Sequence, residues 1–471
     1  MKQNIKNKSK KINKSKKINK INKINKSKKI NKINKSKKIN KSLKKKKLSY
    51  DVFNVIPKVY NINDYKIILL NYPCNVTYIE SFINNGNINE NKNNCGINHL
   101  LEHVLIESWS GCKNKPCLEV FGNKGIYLNA YTDNNNLSYF TKSLNDDLDE
   151  TLDYIINITT KAIIKDKYLK YEKQPIINEL LMYLNNTERK LFNLINNFVY
   201  THEGLKYSDN YKKQLENLDK LRLKDVIEYY KKNYTPKNTI FLVSGKINTQ
   251  QVLNIFKKKL PKPKKNDKIN IFDNCFTFKN TNIFLKNVKS KTSTCIICFP
   301  TNLKYYDKKS YILKLAIMCL RYILFVHLRY DKSLIYSIKT DINKNSCGTL
   351  IMFKYYTPSF NTNKTLNNIL NVIKTFKTKC IKESIITSNK KKYLIDYLVS
   401  PNDPSLISKF YGHQYLNQMH LNQNIIYTPK EVKDIIIKTS AEDIKNILNE
   451  TLIIENMIFS YEANKCYDIT Y

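Results

Sequence analysis

The apolar-rich segments 66–70 and 76–84 read as two strands. In the second, Val76, Tyr78, Glu80 and Phe82 share one face, and Thr77, Ile79, Ser81 and Ile83 the other. A helix is predicted over 96–108 and strands over 126–132 and 137–142. Ser143 and Asp146 have the spacing of a capping box, ahead of a helical stripe of Leu148, Leu152, Ile155, Ile156 and Ile163. A long helix over 167–198, a strand Thr239–Ser244 and a further helix close the first half. The second half repeats the order. Strands are predicted within 277–299, a helix over 309–329 and strands over 334–340 and 347–355. Helices over 362–380, 386–398 and 430–448 follow, and a strand over 455–461. Strands then helices, twice, predict a duplicated α+β domain.

Residues 1–48 break this pattern. They repeat Ile-Asn-Lys, interrupted by Ser-Lys-Lys, and Ile every third residue fits no helical stripe. Their 22 lysines face no acid, so like-charge repulsion predicts a disordered, low-complexity tail. Such an arm suits nucleic acid or an anionic surface; equally, it is a repeat tolerated because it does not fold. The Lys/Pro run inside 257–268 has the composition of a linker. The expected organisation is therefore a tail at 1–48, a first domain at 49–256, a linker at 257–268 and a second domain at 269–471.

Composition adds limits. The net charge is +42, and without the tail the other residues carry +20. Eleven cysteines are irregularly spaced. The one Cys-x-x-Cys, Cys295–Cys298, lies in an apolar strand-like run and reads as buried free thiols rather than a metal or redox pair. An intracellular, reducing compartment is expected. No apolar run reaches about 18 residues, so no transmembrane segment is expected. The N-terminus has neither a secretory h-region nor the Arg/Ser pattern of a transit peptide.

The chain has six histidines, and two of them, His99 and His103, are four residues apart. On a helix their imidazoles share one face, about 6 Å apart along the axis, and can take neighbouring corners of a tetrahedral zinc. Glu102 reaches the same face and suits a general base acting on water at the open position. The order His99-x-x-Glu102-His103 is the inverzincin arrangement. A third ligand is needed, and the helix from Lys167 offers Glu172 and Glu179, seven apart and so on one face.

These residues resemble the pitrilysin and insulin-degrading-enzyme family, which includes the mitochondrial processing peptidases. Gly96-Ile-Asn-His-Leu-Leu-Glu-His103 is similar to its G-x-x-H-x-x-E-H signature. The family's third zinc ligand lies about 76 residues after the second His, which is Glu179 here, with Glu172 in the place of a supporting Glu. Asn129-Ala130-Tyr131-Thr132 with Tyr139 resembles the strand pair whose edge takes substrate as an added strand. Tyr234-Thr-Pro-Lys-Asn238 and Ser244-Gly245 resemble the close of the family's first domain. Leu328-Arg329 and Tyr336 resemble an Arg–Tyr pair that stabilises the oxyanion; Ser333 departs from the family's Gly there.

The resemblance implies an α+β fold of two similar α/β-sandwich domains forming one half of a clamshell, behind the Lys-rich tail. It implies one zinc ion (Zn2+) per chain and hydrolysis of small or unfolded peptides in a closed chamber. It further implies a homodimer that pairs the zinc of one chain with Arg329 and Tyr336 of the other. The competing expectation is a non-catalytic processing-peptidase-like subunit or peptide-binding scaffold.

Overall fold

The computed structural model describes residues 55–113, 115–263, 275–304, 307–398, 403–421 and 425–469. The predicted tail at 1–48 and residues 264–268 of the predicted linker lie outside the described residues.

Strands β1 (Lys58–Ile62), β2 (Tyr65–Asn71), β3 (Val76–Ile83), β4 (Tyr127–Thr132), β5 (Leu137–Leu144) and β6 (Thr239–Gly245) form a sheet ordered β1-β2-β6-β3-β5-β4. Strands β7 (Thr281–Lys286), β8 (Thr292–Thr301), β9 (Ile338–Asn345), β10 (Gly348–Pro358) and β11 (Ile458–Ala463) form a second, ordered β7-β11-β8-β10-β9. In both, the last strand of the half inserts inside the sheet and pairs in parallel with an early strand, β6 with β2 and β11 with β7; the other pairings are antiparallel. The predicted repeat of order is thus a repeat of topology.

The helices are α1 (Ile97–Ile106), α2 (Cys117–Gly122), α3 (Leu148–Thr160), α4 (Asp166–Leu184), α5 (Thr187–Val199), α6 (Glu203–Tyr207), α7 (Tyr211–Lys220), α8 (Leu223–Asn233), α9 (Thr249–Lys259), α10 (Lys308–Val326), α11 (Thr362–Thr378), α12 (Glu383–Leu398), α13 (Pro404–Leu421), α14 (Pro429–Lys438) and α15 (Ala441–Thr451).

The alternation in β3 is realised as read. Ile79 and Ile83 enter a core with Leu100, Leu101 and Val104 of α1 and Leu152 and Ile155 of α3. Phe82 turns the other way, onto α13, where its ring meets His413 edge-on with centroids 5.6 Å apart. In β8, Cys295, Ile297 and Phe299 face a core with α10, α11 and α15. Ile296 and Cys298 face a smaller core with Leu191, Ile195 and Val199 of α5. Cys295 and Cys298 therefore point to opposite faces of one strand and cannot converge on a metal; both are buried, and burial pushes both thiols well above their ordinary range. Two other pairs are cystines, Cys112–Cys117 and Cys275–Cys347, which the irregular spacing did not announce.

Each half lends one helix to the other's sheet: α5 packs on the second sheet and α13 on the first. The expected partition at 257–268 therefore does not follow the packing, and Lys257–Lys259 finish α9 rather than open a linker. Other elements also differ from expectation. The helix predicted over 167–198 passes through Pro175 but ends at Leu184, because Asn186 starts a new helix by accepting the Arg189 N–H at 3.1 Å. The helix predicted over 430–448 is two, since Ser440 and Asp443 form a reciprocal capping box. Ser143 caps no helix; it lies in β5 and donates to the Leu144 carbonyl. Finally, α10 and the turn after it, Lys308–Asp331, are long and apolar enough to cross a membrane, which the search for an uninterrupted apolar run missed. Leu313, Ala316, Leu320 and Leu324 of α10 are buried in the second core.

Candidate metal centre

Helix α1 puts its apolar residues into the first core and leaves His99, Glu102 and His103 on a half-buried face. Its start is fixed from below. Gly96 caps it with φ +95°, a conformation that favours glycine. The buried Glu90 carboxylate accepts the Gly96 and Asn98 N–H groups at 3.0 and 2.9 Å. Further along, Tyr139 of β5 donates to the Leu101 carbonyl at 3.2 Å and pairs with the Tyr234 hydroxyl at 2.9 Å. Tyr139 and Tyr234 of the quoted motifs thus support the helix that carries the histidines.

Helix α4 packs across α1 and delivers both acids. His99 Nε2 lies 3.3 Å from Glu179 Oε2, and His103 Nε2 lies 3.9 Å from the same oxygen. One ligand atom each from His99, His103 and Glu179 lies within 4.8 Å of the other two. Zinc held at about 2.0–2.1 Å by tetrahedral N and O ligands has ligand–ligand edges of about 3.3 Å. The His99–Glu179 edge already has that length, and small side-chain rotations close the others. The trio therefore fits zinc. The His99 hydrogen bond, with a smaller pull from the charge of both imidazoles, holds the Glu179 carboxyl down at about 2 against the opposing effect of burial. A carboxylate kept ionised is the form a metal requires.

Glu172 contacts His103 from the side away from Glu179. With His103 Nδ1–H donating to Glu172 Oε2 at 3.0 Å, the lone pair of Nε2 is left facing the site. Burial lowers the His103 pKa, but that hydrogen bond and the charges of Glu102, Glu172 and Glu179 outweigh it and the net shift is upward.

Glu102 Oε2 accepts a hydrogen bond from Thr132 Oγ1 at 2.6 Å. This was not readable in the sequence, which placed Thr132 with the substrate strand. β4 is indeed an edge strand of the first sheet. Along it, Leu128 and Ala130 are buried, while Asn129 is exposed. The Asn129 side-chain carbonyl accepts the Ala130 N–H at 2.8 Å. Thr132 of this strand thus also holds the Glu102 carboxylate.

Arg329 and Tyr336 are brought together away from this cluster. Arg329 lies in a wide, π-type turn at the end of α10, a geometry often found at functional sites. Its guanidinium donates to the Tyr336 carbonyl at 2.8 Å and lies 4.5 Å from the centre of the Tyr336 ring. Tyr336 is 77% exposed. Ser333, where the resembled motif has Gly, takes φ +53°, the left-handed region that glycine enters more easily. Sequence reading also missed Tyr183, whose hydroxyl donates to Glu179 Oε1.

Residues 67–209 match the family model described as insulinase (peptidase family M16), and residues 220–393 match that of the peptidase M16 inactive domain. The mitochondrial-processing peptidase subunit beta of Saccharomyces cerevisiae is 24% identical over 177 residues, 38% of this chain and 38% of its own length. Cytochrome b-c1 complex subunit 1 of Bos taurus is 24% identical over 180 residues, 38% of this chain and 36% of its own. These matches thus span well under half of either relative. A protease from Helicobacter pylori has a similar structure, with a TM-score of 0.75 at 16% identity, covering 87% of this chain and 99% of its own. The peptidase M16 inactive domain from Pseudomonas fluorescens follows at 0.72 and 13% identity. At such identity these two likenesses speak for the fold alone. With both domain models matched in order along one chain, and the sandwich topology shared, this protein belongs to peptidase family M16.

Proposed function

We propose that this chain is a zinc-dependent endopeptidase that cleaves small or unfolded peptides. The observation that carries the reading is the convergence of His99, His103 and Glu179 from two helices, beside a Glu102 that is not needed as a ligand. Zinc held by the trio supplies Lewis acidity at the position the protein leaves open. The rest of the chemistry belongs to the chain. Glu102, its carboxyl plane set by Thr132, takes the proton from the attacking water and returns it to the leaving amine. A substrate lying along β4 as an added strand receives the Ala130 N–H once the Asn129 side chain turns away, so backbone pairing binds it with little dependence on sequence. Arg329 and Tyr336 offer donors to the developing oxyanion. In this reading they act from a second copy of the chain, in a homodimer that encloses two sites. Light scattering should give twice the mass of one chain; a fully active monomer overturns that arrangement.

The names of the relatives place them in mitochondria, which supports an intracellular site of action; the two cystines lend nothing to a reducing one. The competing reading, a non-catalytic subunit, draws on the similarity to cytochrome b-c1 complex subunit 1. The two part at Glu102. Glu102→Gln keeps the zinc and the Thr132 hydrogen bond but removes the base, so cleavage of an unstructured peptide should fall by about 10²–10⁴-fold. Equal cleavage by wild type and variant refutes the assigned base, and no cleavage by wild type favours the subunit.

A further inference from the structure

Glu179 must present one oxygen to the two histidines, and a carboxylate on a flexible side chain does not do so by itself. Two contacts fix it. Oε2 faces His99 Nε2 at 3.3 Å, and Oε1 accepts the Tyr183 hydroxyl from one turn further along α4. Tyr183 is itself held. The Arg189 guanidinium lies 4.8 Å from the centre of its ring, and the Tyr211 ring packs against it with centroids 5.1 Å apart. Arg189 Nη1 in turn reaches the Tyr211 hydroxyl at 3.2 Å and Asp209 Oδ1 at 3.6 Å. Asp209 Oδ2 accepts from Asn196 of α5 at 2.6 Å.

This stack depends on the break between α4 and α5. Residues six apart on one continuous helix lie about 240° apart around its axis, so Arg189 could not sit over Tyr183. Capping by Asn186 starts a new helix that brings Arg189 back.

We infer that Tyr183 is a positioning residue for Glu179, and that the Arg189–Tyr211–Asp209 cluster, set by the Asn186 break, keeps Tyr183 in place. Tyr183 holds one carboxylate oxygen so that Glu179 gives the metal a single oxygen and leaves a position open for water and substrate. This rests on the zinc reading above. A partner behind a ligand, rather than the ligand itself, typically changes metal affinity by about 10–100-fold when removed.

Tyr183→Phe tests it, because only the hydroxyl is lost. Zinc affinity is measured by competition with a chromophoric chelator, and the cobalt-substituted protein is examined by visible absorption. The expected result is affinity weakened about 10-fold or more, with a weaker cobalt d–d band as the freed Glu179 binds through both oxygens and raises the coordination number. The metal-free variant should melt with wild type. Arg189→Leu should change affinity and spectrum in the same direction by less. Unchanged affinity and spectrum in Tyr183→Phe overturn this inference alone, and so does a fall in affinity matched by a fall in metal-free stability. A wild-type chain that takes up no zinc overturns the zinc reading, and this inference with it.

Discussion

Glu90 is a buried acid under the helix that carries His99 and His103, and its titration belongs to the folded state. Burial raises its pKa from 4.5 to about 7, against the opposing pull of the Asn98 and Gly96 N–H groups. A carboxyl raised on folding contributes stability that is present below about 4.5 and is lost as pH rises through about 7. Glu80, between the Tyr78 and Tyr131 hydroxyls, is raised to about 7 in the same way. Buried His413 runs oppositely: burial lowers it to about 4, so its contribution is lost as pH falls from about 6.5. A melt of wild type alone therefore mixes signs, and the difference from Glu90→Gln isolates one of them. Wild type should lose stability relative to that variant between about pH 4.5 and 7; a gap independent of pH contradicts the assignment. At this scale legibility followed distance along the chain. His99, Glu102 and His103 lie within one turn of one helix, so spacing was enough. Glu179 needed the family resemblance. Thr132 and Tyr183 were out of reach, because each acts through a contact set by another element's register.

Elements were legible where one face is apolar and the other polar. The strands and α1 follow that rule. The region 203–233 does not, since α6, α7 and α8 are short and bury Tyr, Asn, Gln and Gly beside their aliphatic residues. α13 was missed for a related reason. It buries Tyr411, Gln414, Tyr415 and Ser408 against the outer face of the first sheet, so its inward side does not look apolar in the sequence. Its fit is tight at Gly412, where an added Cβ would stand 2.2 Å from the Phe82 ring. Gly412→Ala should cost about 1–3 kcal/mol in urea unfolding, from overpacking between helix and sheet. A cost below about 0.5 kcal/mol would mean that α13 does not dock as described. The break at Asn185–Asn186 could not be placed from helical periodicity, which reads Leu180, Leu184, Leu191 and Ile195 as continuous; a single side-chain cap decides it.

Over the whole molecule, the repeat of strands and helices gave the architecture before any coordinates, and the exchange of α5 and α13 was what it hid. That exchange ties the first sheet, on which the helix of His99 and His103 packs, to the half that carries Arg329 and Tyr336, so the chain presents both sets as one body. All of the chemistry assigned to it begins with the metal. The most direct test is the zinc content of the purified chain beside Glu179→Gln and His103→Ala. One zinc per wild-type chain, with clearly less than one in both variants at unchanged fold, is the predicted result. Wild type without zinc, or variants that keep a full equivalent, would contradict the site.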